Sequence, residues 1–263
     1  MEKYSRIKID HLSIFLKKEQ KKIVSDLTFQ IKKDHVTCLL GQSGSGKSLT
    51  VLAILGLLPS SLQASGSVTL GEIDMLHLQE QNRSFIRGKE IALIMQNPMS
   101  AFNPIVTIGK QVIETLRIHL DLSNYEAEQL CKLCLKKVSL IETERVMSLY
   151  PFQLSGGMLQ RVMIALIFAL KPSFLIADEP TTALDKVTQS SILQELLQLQ
   201  SDTNMGMLLI THDLAVMSQI ADDVLVLHEG TIVEKQPVNR LFSQPKHSYT
   251  KQLLRANLRL QGV

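Results

Sequence analysis

Long apolar runs are missing from this 263-residue chain. The longest candidate, 162–170, reaches half of the ~18 residues that a membrane span needs, so it reads as a buried helix. The N-terminal residues 1–6 alternate polar and apolar and contain no signal-peptide core. A cytosolic protein is expected, or one docked to a membrane from that side. Cysteine is scarce: Cys38, Cys131 and Cys134 make no disulfide framework. Cys131 and Cys134 form a lone C-x-x-C inside a helical pattern. With no second pair and no histidine cluster beside it, that motif reads as structural, not as metal-binding or redox-active. The seven histidines are scattered without ligand spacing. A formal net charge of +3 is too small to argue for nucleic acid as a partner. No internal repeat or low-complexity tract is present. What the chain does have is 45% hydrophobic residues, enough for one large α/β domain or two small ones.

The most informative stretch is Gly41-Gln42-Ser43-Gly44-Ser45-Gly46-Lys47-Ser48. An apolar run of strand formers, 36–40, precedes it, and residues 49–55 after it read as a helix. Strand, glycine-rich turn and helix form the context of a phosphate-binding P-loop. Glycines let backbone N–H groups approach the phosphates with no Cβ in the way. A helix starting near Gly46 aims its positive dipole end at the same anion. Lys47 adds a full charge near the phosphates, and the Ser48 hydroxyl can ligate Mg²⁺. A glycine-rich turn without a ligand is the plainer alternative, but the fit of all eight positions and of both flanks weighs against it.

Along the chain, 7–14 and 26–31 alternate as strands, with turns at 17–22 and 32–35. Pro59 is expected to end the helix after the P-loop. Residues 66–70 suggest a short strand, and 91–95 a fully apolar one. Residues 106–149 are helical by pattern and read as an insertion in the α/β core. A long helix runs to Leu170, followed by a buried strand at 174–177, a helix at 189–199 and a strand at 207–210. The runs 224–227 and 231–233 flank Glu229-Gly230 as a hairpin. Alternating buried strands and helices argue for a mostly parallel sheet covered by helices. Polar residues follow these strands at Gly41, Gln96, Asp178 and His212, and would gather at the carboxyl edge, where ligands bind.

Asp178 lies at the mouth of a buried strand, where a carboxylate can hold Mg²⁺, usually through water. Glu179 beside it is the candidate general base for an attacking water. In isolation the pair would read as an acidic turn, and the P-loop changes that balance.

Leu154-Ser155-Gly156-Gly157-Met158-Leu159-Gln160-Arg161 resembles the signature of ATP-binding cassette (ABC) proteins. Ser-Gly-Gly at a helix start is a second anion site, and one chain does not need two for one triphosphate. The resemblance implies that Ser155, Gly156 and Gly157 close on ATP held by another cassette. It implies a Q-loop role for Gln96, sensing Mg²⁺ and the membrane partner. It implies a D-loop at Ala183-Leu184-Asp185, and a switch role for His212 at the γ-phosphate. It covers the chain from about Ile7 to the C-terminus. The implied fold is an α/β P-loop NTPase (RecA-like) core with an antiparallel β subdomain and a helical signature subdomain. In residues, this is a nucleotide-binding domain over 1–240, with the helical subdomain at about 97–160, and a short tail over 241–263. The implied cofactors are ATP and Mg²⁺. Two positions depart from the family. The adenine-stacking aromatic falls at Phe15 or Leu16, and Asp34 replaces the usual Gly before the P-loop strand, which a turn tolerates.

The text around the motifs is more particular. Residues 95–104, 178–185 and 150–161 resemble the peptide and nickel importer group, and within it the nickel-import ATP-binding subunits. The tail at 241–250 is similar too, and the chain has no cysteine beyond Cys134, unlike the longer cysteine-bearing tails of peptide importers. The resemblance implies the ATP-hydrolysing subunit of an importer for nickel, free or chelated. Its implied partners are a second, related ABC ATPase subunit in a heterodimer, two membrane permease subunits and an extracytoplasmic substrate-binding protein. Residues 97–104 would receive a short helix of a permease. The implied location is peripheral, on the cytoplasmic face of the cell membrane. A di- or oligopeptide importer is the alternative. A cassette without a membrane partner is a third reading, against which the single cassette and compact helical region weigh.

Overall fold

The computed structural model describes residues 4–182 and 184–260. The chain divides into two compact units, one made of Met1–Phe85 with Gly206–Val263 and the other of Ile86–Met205.

The first unit opens with β1 (Arg6–Leu16) and β2 (Lys22–Lys32), paired antiparallel. Ile7 and Ile9 point into the core and Lys8 and Arg6 outward, as period 2 requires. That alternation does not run on unbroken as expected. His11 (φ 51) and Asp26 (φ 56) are left-handed, the register shifts between Ile9 and Leu12, and His11 Nδ1 lies 2.6 Å from Asp26 Oδ1. This is a bulge, which lets Leu12 and Ile14 both reach the core. The fully buried strand β3 (Val36–Leu40) follows. Asp34, at the position of the usual glycine, has φ 52, a conformation that a short polar side chain accepts.

After α1 (Lys47–Ile54) come β4 (Leu62–Leu70), β5 (Ile73–Asp74) and α2 (Glu80–Ile86). Strands β2, β1, β4 and β5 form one antiparallel sheet in that order. Pro59 does not end α1. The helix stops at Ile54, Gly56 turns left-handed (φ 65), and Arg83 Nη1 donates to the Gly56 carbonyl at 2.7 Å.

The second unit begins with β6 (Ile91–Ile94). The region expected to be helical resolves into α3 (Ile108–His119), α4 (Asn124–Lys137) and α5 (Thr143–Ser148). Ser123 and Glu126 close a capping box at the start of α4. A Cβ on Gly109 would lie 2.7 Å from the Met147 Cβ, so glycine lets α3 approach α5 closely. The apolar α6 (Gly156–Leu170) is packed by α3, α4 and α7, and β7 (Phe174–Asp178) pairs parallel with β6. α7 (Lys186–Thr203) is longer than its apolar pattern suggests, because Asp185 caps it four residues before that pattern begins.

The chain then returns to the first unit with β8 (Gly206–Thr211), α8 (Leu214–Ile220), β9 (Asp223–His228), β10 (Thr231–Pro237), α9 (Val238–Ser243) and α10 (Ser248–Leu260). β9, β3 and β8 lie side by side in parallel, and β10 joins β9 antiparallel through the expected hairpin. All five residues of β3 and all six of β8 are buried, which explains their continuous apolar runs. The antiparallel and parallel sheets and the helical signature region are those of the expected fold class.

Candidate functional site

In the first unit, the strand β3 delivers the chain into a loop that each glycine shapes differently. A Cβ on Gly41 would lie 2.5 Å from the Leu227 carbonyl of β9. Gly46 has φ 105, beyond the reach of an ordinary side chain, and a Cβ there would meet Val24 Cγ2 at 2.8 Å. Gly46 is the N-cap of α1, no side chain caps that helix, and its first turn holds no acidic residue. The helix therefore presents its N–H groups to the loop with no built-in anion.

Lys47 is only 6% exposed, and its Nζ donates to the carbonyls of Gly41 (2.7 Å) and Gln42 (2.9 Å). The ammonium is thus folded over the loop. Ser45 Oγ is buried with no hydrogen-bond partner, while Gln42, Ser43, Gly44 and Ser48 are exposed. An orphaned buried hydroxyl, a buried cation and an uncapped helix start all suit a phosphate. In the β3–β8 register Leu40 stands opposite Thr211, so Gly41 and His212 leave neighbouring strands at the same edge. Asp213, next to His212, caps α8 by accepting from Ala215 N at 2.7 Å. Phe15 and Leu16 end β1 half-buried, with Lys22 Nζ 5.3 Å from the Phe15 ring centroid.

In the second unit, β6 and β7 place Ile94 opposite Ala177, so Gln96 and Asp178-Glu179 also leave at one edge. Gln96 Nε2 donates to Glu179 Oε2 at 2.9 Å, and Thr182 Oγ1 donates to the same oxygen at 3.0 Å. Glu179 has φ 47, an unusual conformation for a residue with a side chain and one often found at functional sites. Asp178, half-buried, is the last residue of β7. Within this unit the Gln96 amide oxygen and the Asp178 carboxylate are hard oxygen donors of the kind that Mg²⁺ takes, and in the first unit the exposed Ser48 hydroxyl is another.

The signature residues open α6. Ser155 caps it by accepting from Met158 N at 3.3 Å. Gly156 is exposed, and a Cβ there would have no atom within 4 Å. Gly157 is buried instead, where a Cβ would lie 2.9 Å from Thr188 Cγ2 on α7. That contact brings the signature against the cap of α7. There Asp185 accepts from Val187 N and Thr188 N, and the Thr188 hydroxyl bond holds its carboxyl below the usual range. Ala183 lies outside the described residues. Residues 98–101 make a 3-10 turn capped by Asn97, with Met99 38% exposed.

The structure thus brings Gly41–Ser48 near the strand end that bears His212, joins Gln96 to Glu179, and sets Ser155, Gly156 and Gly157 beside the helix that Asp185 caps. Sequence reasoning missed Thr182. Its only signal is the spacing Glu-Pro-Thr-Thr, a proline turn that returns a hydroxyl to the glutamate.

Residues 24–182 match the family model described as ABC transporter. The chain is 41% identical over 246 residues to the metal-staphylopine import system ATP-binding protein CntD of Staphylococcus aureus, covering 94% of this chain and 91% of that one. It is 42% identical over 260 residues to the glutathione import ATP-binding protein GsiA of Escherichia coli, but spans only 41% of that protein's length. Among solved structures, a dimeric ATP-binding cassette in a post-hydrolysis state, bound to ADP and Pi, matches with a TM-score of 0.77 and 27% identity. That match covers 88% of this chain and 98% of the other. An ATP-binding subunit of an ABC transporter matches at 0.74 with 25% identity, over 94% and 97% of the two chains.

Proposed function

Because the chain belongs to the ABC transporter family, we propose that it is the ATP-hydrolysing subunit of an importer for nickel, free or chelated. The observation that carries the ATPase part is the loop of Gly41–Ser48, with its buried Lys47 and its orphaned Ser45 hydroxyl. The relative named for metal-staphylopine import, matched along 91% of its length, supports a metal complex as cargo. The relative named for glutathione import favours the second reading, a di- or oligopeptide importer.

In the proposed reaction, Gly41, Gln42, Ser43, Gly44, Ser45 and Gly46 wrap the β- and γ-phosphates with backbone N–H groups. Lys47 leaves its two carbonyl partners for phosphate oxygens, exchanging dipoles for full charges. Ser48, Gln96 and Asp178 would hold Mg²⁺, which neutralises charge building on the phosphates. Glu179 orients the attacking water and takes its proton, and His212 contacts the γ-phosphate. Ser155, Gly156 and Gly157 serve ATP on a second cassette, with Asp185 at the junction. We assign the nucleotide-binding domain to 1–240, its helical subdomain to about 97–160, and a tail to 241–263.

The chain holds one P-loop and one signature, so a complete site needs a second cassette, and the resemblance to the peptide and nickel importer group makes the proposed assembly a heterodimer with a related one. Two permease subunits and an extracytoplasmic binding protein complete the importer. No helix among the described residues is long and apolar enough to cross a membrane. The chain would sit peripherally at the cytoplasmic face, held by the permeases at 97–104. A deletion strain tests the cargo: it should lose uptake of radioactive nickel and keep growth on dipeptides. Intact nickel uptake with lost dipeptide growth would replace the first reading by the second.

A further inference from the structure

We propose that Thr182 is a positioning residue for Glu179, setting the carboxylate that takes the proton from water. The inference rests on the reading of Glu179 as the base and deepens it. Thr182 grips Glu179 twice. Its backbone N–H donates to the Glu179 carbonyl at 3.2 Å, closing a turn with Pro180 at its second position. Its hydroxyl donates to Glu179 Oε2 at 3.0 Å. A β-branched side chain in a proline-fixed turn has few rotamers to lose, so this bond is preorganised. Glu179 itself sits at φ 47, a conformation that the surrounding turn must hold in place.

The second donor to Oε2 is of another kind. Gln96 reaches Glu179 from a residue 83 positions away in sequence, beyond the end of β6. Its amide carries an oxygen that can serve a cation as well as an N–H₂ that serves a carboxylate. Gln96 is therefore an exchangeable donor. If it turned to a cation, the carboxylate would lose that hydrogen bond. Thr182 has no such alternative and keeps the carboxylate oriented throughout. One donor can be exchanged and the other aims.

The test is steady-state ATP hydrolysis by the full chain in its assembled complex, with kcat and KM for ATP measured separately. Thr182→Val keeps the branched shape and removes the hydroxyl. Its kcat should fall by roughly tenfold or more, the range for losing one hydrogen bond to a charged group, with KM for ATP within about twofold of wild type. Thr182→Ser should restore kcat. Thr182→Ala is read in the same way should the valine chain fail to bind ATP. Unchanged kcat in the hydroxyl-free chains would overturn the proposal. So would an equal loss in the serine chain, since that marks a packing role. Glu179→Gln is the control: normal turnover there would sink the base itself, whereas its loss beside a silent Thr182→Val would sink only Thr182.

Discussion

Lys47 shows what the sequence could say about single residues. A phosphate site restricts residue types so tightly that the loop, the lysine and the Ser-Gly-Gly stretch stand out as candidates in the sequence alone. The structure adds that the ammonium is already folded over the loop, on the carbonyls of Gly41 and Gln42. Lys47→Ala should leave the backbone of the loop in place and remove the charge aimed at the phosphates. ATP should bind more weakly and hydrolysis should fall by roughly 10²-fold or more, the range for one preorganised donor. Turnover near wild type, with an unchanged melting temperature, would remove Lys47 from the site. Cys131 and Cys134 read as structural in the sequence. Both face the core, and burial pushes the Cys131 thiol up to about 12, with Cys134 and Glu128 adding to it. Burial raises the Cys134 thiol as well. Burial in apolar surroundings makes a thiol less reactive. Thr182 stayed invisible because a hydroxyl three residues after a glutamate is commonplace, and only the turn makes it a donor.

Among the elements that were read from the sequence, type and order followed from hydrophobic period and ends did not, while α2, α8, α9 and α10 were not read from it at all. Ends are set by partners distant in sequence: Arg83 at the end of α1, and the His11–Asp26 bulge inside β1 and β2. The same holds for the C-terminal helix. Glu234 on β10 accepts the backbone N–H groups of Lys246 (2.8 Å) and His247 (2.9 Å), and Tyr249 stacks on His228 with centroids 3.8 Å apart. The β9–β10 hairpin was legible from Glu229-Gly230, yet its second task was not. Gly230 N donates to the Ser45 carbonyl at 3.1 Å and its own carbonyl accepts from Ser25 N at 2.7 Å, so the hairpin braces the P-loop from behind. Gly230 has φ 76, and a Cβ there would collide with the Ile23 carbonyl. Gly230→Ala should therefore cost about 2–4 kcal/mol, from left-handed strain and overpacking together. Thermal or denaturant unfolding measures this, and weaker ATP binding should accompany it. A stability within about 0.5 kcal/mol of wild type, the scale of a neutral surface change, would mean the hairpin does not brace the loop.

At the scale of the whole molecule, family membership rests on motifs in series, not on any one of them. His212 alone would pass as an ordinary strand-end histidine, and only its place after the motifs at 41–48, 96, 155–157 and 178–179 suggests the role proposed for it. The cargo leaves no mark among these residues, because the proposed importer handles nickel in its other subunits. The most direct measurement is nickel accumulation in proteoliposomes holding the assembled complex, with ATP supplied on the face this chain occupies. Wild-type chains with their partner cassette should accumulate nickel only when ATP is present. Chains with Glu179→Gln should still bind ATP but hydrolyse it about 10²–10⁴-fold more slowly and accumulate none. Accumulation that proceeds without ATP, or equally well with Glu179→Gln, would contradict the account.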